Sequence, residues 1–142
     1  RKQQSLIESV THADGTVAQP QEGSSTRVID ESVADQVKNA MESVAEGYSK
    51  VVNVKGYRIA AKTGTAEVAG SDGRLTSIVA DFAGMIPADN PRFAITVIMK
   101  DPQGTYGGMT AGPVFAKIGE FLMQKYNVPT SSPRNDAIAV DW

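Results

Sequence analysis

The sequence predicts an α+β fold, an antiparallel sheet with helices flanking it, and three observations carry that reading. "IVADFAGMI" (78–86) and "RFAITVIMK" (92–100) are apolar runs of strand length, joined by "PADNP", a connector too short for a parallel crossover. "YRIAAKT" (57–63) sets Tyr57, Ile59, Ala61 and Thr63 on one face and Arg58, Ala60 and Lys62 on the other, the period of a strand. Val114, Phe115, Ile118, Phe121, Leu122 and Tyr126 fall at helical spacing, an apolar stripe made to face a sheet.

Taken in order, residues 1–19 read as a β-hairpin: Leu6, Glu8 and Val10 alternate with Ile7 and Ser9, and Asp14-Gly15 signals a tight turn. "PQEGSSTR" (20–27) is linker-like. Asp30 is a candidate cap for a helix over 30–46, with Val33, Val37, Met41 and Val44 as its apolar residues and Gly47 as its stop. Three sheet strands are expected within 57–100, interrupted by a two-glycine loop, "EVAGSDGRLTS". A second glycine-rich loop, "DPQGTYGGMTAG", leads to a closing helix over 113–126, with Pro113 in its first turn and Asn127 and Pro129 ending it. Residues 130–142 read as a tail.

Composition narrows the function. The 142 residues hold 14 Lys and Arg against 16 Asp and Glu, so there is no basic footprint for nucleic acid. Without cysteine there are no disulfides, no thiolate catalysis and no Cys-based metal sites, and the lone His12, beside the hairpin turn, reads as a solvent-exposed turn residue. No metal or cofactor is expected. The longest apolar runs fall well short of the about 18 residues of a membrane span, so any membrane anchor is expected outside this chain.

The chemistry centres on "GYRIAAKTGTAEVAG" (56–70). A phosphate-binding loop needs a glycine directly before its Lys-Thr and a helix starting at the lysine. Ala61 fails the first requirement, and the strand pattern of 57–61 followed by Gly64 fails the second. The other reading is the Lys-Thr-Gly motif of penicillin-interacting enzymes: Lys62, then Thr63, Gly64 and Thr65. In that chemistry the lysine supplies positive potential, the glycine lets an acyl substrate lie against the strand, and the amide of Thr65 donates to a developing oxyanion. Thr63 and Thr65 share a face, so both hydroxyls are candidates for a substrate carboxylate.

Around the tripeptide, five segments in order resemble the C-terminal part of a class B penicillin-binding protein, a monofunctional transpeptidase: "HADGTV", "RVIDESVADQVKNAMESVAE", "GYRIAAKTGTAE", "VADFAGMIPADNPRFAITVIM" and "YGGMTAGPVFAKIGEFLMQKY". The resemblance covers about Leu6 to Pro129. It implies a five-stranded antiparallel sheet with flanking helices plus an all-α lobe, catalytic roles for Lys62, Thr63, Gly64 and Thr65, and substrate contacts from Thr63, Thr65, Ala66 and Glu67. It also implies peptidoglycan stem peptides and β-lactams as ligands, and the extracytoplasmic face of a bacterial plasma membrane as the location. Divisome or elongation proteins are the expected partners.

The family's nucleophile lies in Ser-x-x-Lys and its proton shuttle in Ser-x-Asn, and neither pattern occurs here: no lysine has a serine three residues before it, and no asparagine one two before. The expectation is therefore a piece of a larger enzyme whose missing segment carries both motifs and completes the sheet. A D,D-carboxypeptidase or β-lactamase on the same fold, and a non-catalytic binding module, are the alternatives. Asp81 and Asp101 read as structural or solvated carboxylates, Tyr106, Gly107 and Gly108 as a helix-entry loop, and Glu67 to Ser77 as a loop that could wall the substrate groove.

Overall fold

The computed structural model describes residues 9–19, 25–104 and 106–138. The chain divides into two units, residues 1–34 and 35–142. In the first, β1 (Val10–Thr11) pairs antiparallel with β2 (Val17–Ala18). Gly15 takes φ 84° at the turn, and Asp14 accepts bonds from the Thr16 amide at 2.9 Å and the Thr16 hydroxyl at 2.6 Å. The hydroxyl bond, ahead of the amide, holds the Asp14 carboxyl below its ordinary range. His12 is exposed; Leu6 and Glu8 lie outside the described residues.

Helix α1 runs Glu31–Gly47. Its buried residues are Glu42, Ser43 and Ala45, whereas Val33 and Val37 are exposed. This corrects the expected apolar stripe. The helix's buried face is mainly polar because an arginine-bearing strap, residues 128–138, packs on it. Glu42 accepts two bonds from Arg58, at Nε 2.5 Å and Nη2 2.8 Å, while Arg134 donates to Ser43 Oγ at 2.8 Å and to the Asn39 carbonyl at 3.1 Å. The Glu42 hydrogen bond holds the Arg58 guanidinium further up than its ordinary value. Tyr57 donates to the Val128 carbonyl at 2.6 Å, and Ser131 ties Gly56, Arg58 and Asp89 together. The segment read as a tail is thus, through Ile138, an ordered strap.

The sheet of the second unit is β3 (Ala60–Ala69), β4 (Leu75–Ile86) and β5 (Phe93–Lys100), antiparallel in that order. Strand β3 begins later than the 57–63 pattern suggests and continues through Ala69, and β4 begins at Leu75. The loop expected over 67–77 shrinks to Gly70–Arg74, because Glu67 and Val68 pair with Ile78 and Ser77. Since β5 pairs with β4 only from Val79 onward, residues 67–78 form a two-stranded ribbon. Asp101 clamps its root, accepting from the Ser77 hydroxyl at 2.5 Å and the Ile78 amide at 3.0 Å; the hydroxyl bond chiefly lowers its pKa.

Helix α2 spans Gly107–Lys125, six residues longer at its start than expected, so Pro113 lies in its interior. The glycines that suggested a loop serve close packing. A Cβ on Gly107 would stand 2.1 Å from the Asp81 carbonyl oxygen, and one on Gly108 2.3 Å from the Tyr48 ring. Beneath α2 lies the core: Phe82, fully buried, meets Phe115 edge-on at 5.1 Å and Tyr48 at 6.3 Å, with Ile86, Ala61 and Met123 around them.

Candidate active site on the edge of β3

Lys62 lies in the third position of β3, paired with Ala83; Thr63, Gly64 and Thr65 follow, paired with Phe82, Asp81 and Ala80. Among the described residues, β3 pairs with β4 on one edge only. Backbone N–H and C=O groups of alternate residues therefore face the open edge, a ready template for an extended peptide. Packing positions this strand from behind. Phe82 and Ala80 are fully buried, so their partners Thr63 and Thr65 are on the α2 side of the sheet, and Lys62, Gly64 and Ala66 are on the opposite face.

The Lys62 side chain is exposed, and its ammonium donates to the Thr63 carbonyl at 3.0 Å and the Thr63 hydroxyl at 3.1 Å. The Thr65 hydroxyl accepts from the Gly107 amide at 3.4 Å, which sets the first turn of α2 directly behind the motif. The N-terminal end of a 19-residue helix adds positive potential to that of the ammonium. Lysine, two hydroxyls and a helix N-terminus together favour an anion such as a carboxylate. Ala66 and Glu67 extend the same strand and are exposed.

Gly64 has a further role that the sequence did not reveal. A Cβ there would fall 2.2 Å from Asp81 Oδ2. The space over Gly64 on that face is occupied by a carboxylate, so room for a ligand is at the strand edge and not above the glycine. Gly107 is the other residue the sequence reading undervalued; its Cβ would also stand 2.5 Å from the Gly64 carbonyl oxygen. Only the unusual run of glycine at a helix start could have signalled it.

A polar cavity of about 440 Å³, lined by Asp35, Lys38, Glu42, Arg58, Asp89 and Asp136 among others, belongs to α1 and the strap, and no motif residue lines it. Among the described residues no group of three possible metal ligands occurs, and no helix is long and apolar enough to cross a membrane.

The sequence profile of the penicillin binding protein transpeptidase domain matches residues 1–120. The chain belongs to that family. Its relatives among penicillin-binding proteins include the peptidoglycan D,D-transpeptidase FtsI of Escherichia coli, 44% identical over 107 residues, which covers 72% of this chain and 18% of FtsI. The penicillin-binding protein PbpB of Mycolicibacterium smegmatis is 34% identical over 140 residues, covering 89% of this chain and 22% of PbpB.

Solved penicillin-binding-protein structures agree. A peptidoglycan synthetase from Bifidobacterium adolescentis superposes with a TM-score of 0.85 at 66% identity, covering 96% of this chain and 25% of that one. Penicillin binding protein 3 from Mycobacterium tuberculosis, complexed with ampicillin, gives 0.78 at 29% identity, covering 92% and 32%. The chain thus spans roughly a fifth to a third of these relatives. It is part of a class B penicillin-binding-protein transpeptidase domain, and its mixed helix and antiparallel-sheet fold is that domain's.

Proposed function

We infer that this chain forms the Lys-Thr-Gly wall of a peptidoglycan D,D-transpeptidase, working in the bacterial cell envelope with a segment that carries the nucleophilic serine. One observation carries the reading: Lys62, Thr63 and Thr65 lie together on a strand with an open edge, with the N-terminus of α2 behind them. That arrangement suits the terminal carboxylate of a stem peptide, or of a β-lactam that imitates one. The name of FtsI and the ampicillin held by the mycobacterial structure support the same ligands.

In the assembled enzyme the serine hydroxyl oxygen attacks the penultimate D-Ala carbonyl carbon. The C–N bond to the terminal D-Ala breaks, the hydroxyl proton ends on the departing amine, and an acyl-enzyme remains. An acceptor amine then attacks the ester, and the serine is released with its proton. Lys62 holds the substrate carboxylate through charge. The Thr65 amide, on the strand edge, stabilises the oxyanion of each tetrahedral intermediate.

Fluorescent penicillin tests this. The complete transpeptidase domain is expected to form a long-lived covalent adduct at one serine, and the 142-residue chain alone none. Rapid hydrolytic turnover of penicillin would instead identify a carboxypeptidase or β-lactamase. Absence of any adduct in the complete domain would leave the non-catalytic binding module as the reading.

A further inference from the structure

Asp81 faces Gly64 directly across β3 and β4, and lies diagonally from Lys62 on the same face of the sheet. Its Cγ and Oδ1 would each be 2.6 Å from a Cβ at Gly64, so the carboxylate lies flat over the glycine Cα. Asp81 is half-buried, and its carboxylate receives neither a hydrogen bond nor an ion pair from any described residue. On its other side it pairs with Ile98, which is 68% exposed. Among the paired residues of this face, Ala60 to Ala66, Val79 to Met85 and Ala94 to Lys100, the charged ones are Lys62, Asp81 and Lys100.

A carboxylate with no partner among the described residues, beside the motif lysine, is an odd choice for a site that binds anions. It opposes the lysine's attraction for the same ligand. We propose that Asp81 is a specificity-determining charge of this site: seated in the gap left by Gly64, it weakens the hold of Lys62 on anionic acyl donors. The idea rests on the transpeptidase reading above and adds a residue to it. Its benefit is release, because a site with Lys62 and a helix N-terminus unopposed would retain carboxylate-bearing peptides that are not being cross-linked. The glycine follows from the same geometry, since any side chain at 64 would expel the carboxylate from its seat.

The magnitude comes from spacing. Diagonal partners on one face of an antiparallel pair are about 7 to 8 Å apart. Taking that spacing as the distance from Asp81 to an anion held by Lys62, a unit charge in a water-like dielectric changes its capture by about two- to threefold. Salt at about 0.5 M shortens the screening length well below that separation and should erase the effect.

The experiment measures the second-order rate of benzylpenicillin acylation by stopped flow, in the complete transpeptidase domain. Wild type, Asp81→Asn and Asp81→Ser are compared at about 20 mM and about 0.5 M salt. Both variants are expected to acylate about two- to threefold faster than wild type at low salt and equally fast at high salt. A carboxylate that serves packing alone gives variants that are unchanged or slower at both salt concentrations, and that result overturns the proposal. The two substitutions differ in size and hydrogen bonding, so a gain in either with this salt dependence supports the charge. A wild-type domain that forms no acyl-enzyme would instead overturn the transpeptidase reading on which the proposal rests.

Discussion

Glu42→Gln is the most informative perturbation of stability. The Glu42 side chain is 3% exposed and binds Arg58 through both carboxylate oxygens, at 2.5 and 2.8 Å, with Arg134 Nε a further 3.7 Å away. Removing one member of a buried ion pair costs about 3 to 5 kcal/mol, because the partner's charge is left desolvated. Two features place this case near the lower end. Arg58 is 20% exposed and keeps Asp136 at 3.5 Å, and Arg134 keeps Glu46 at 2.9 Å and Asp136 at 3.4 Å. About 3 kcal/mol is therefore expected. Glu46→Gln provides the control: that side chain is 53% exposed, so its pair with Arg134 should contribute less than about 1 kcal/mol. Urea unfolding of the complete transpeptidase domain reads both, and the Glu42 variant should lose roughly 1 M or more in its midpoint. Equal midpoints for the two variants would refute the idea that the strap is held through a desolvated charge.

Gly107→Ala forces a methyl group into backbone oxygens of Asp81 and Gly64, which cannot rotate away, and overpacking of this kind costs about 1 to 3 kcal/mol. Because Gly64 belongs to the motif and Asp81 pairs with it, penicillin acylation should slow as well, whereas Gly73→Ala, at a ribbon turn with open space around it, should leave acylation unchanged. For Asp89, burial pushes the carboxyl up, but hydrogen bonds from the Ser131 hydroxyl and the Ser132 amide, with the Arg58 charge, hold it below its ordinary range. A depressed folded value contributes stability above the unfolded carboxylate range, lost as pH falls through the folded value. Asp89→Asn should therefore destabilise at pH 7 and converge with wild type as the pH falls through the lowered folded value; stability curves that stay parallel as the pH falls from 7 through the carboxylate range would contradict this.

Much of the fold was legible because the signals were local. The apolar runs at 78–86 and 92–100 and the short "PADNP" connector allowed little but antiparallel neighbours. The order of five family-like segments identified the transpeptidase domain before any coordinates. What was not legible depended on partners distant in sequence. Gly107 and Gly108 look like a loop until Asp81, Gly64 and Tyr48 are packed against them. Val33 and Val37 look like a core stripe, but α1 meets its strap through Glu42 and Ser43, and Arg134 lies 91 residues from Ser43. In the site, the motif residues could be named from the sequence. The Asp81 carboxylate over Gly64 could not, because it depends on the β3–β4 register.

The lysine itself gives the most direct test of the account. Lys62→Ala in the complete transpeptidase domain removes an exposed side chain whose hydrogen bonds, among the described residues, go to its neighbour Thr63. The melting temperature should move little, since such surface substitutions fall within about 0.5 kcal/mol. The second-order rate of penicillin acylation, measured by stopped flow, should fall by about two orders of magnitude, as for other positioned catalytic groups. An acylation rate equal to wild type would show that Lys62 is an ordinary surface lysine and that the site lies elsewhere.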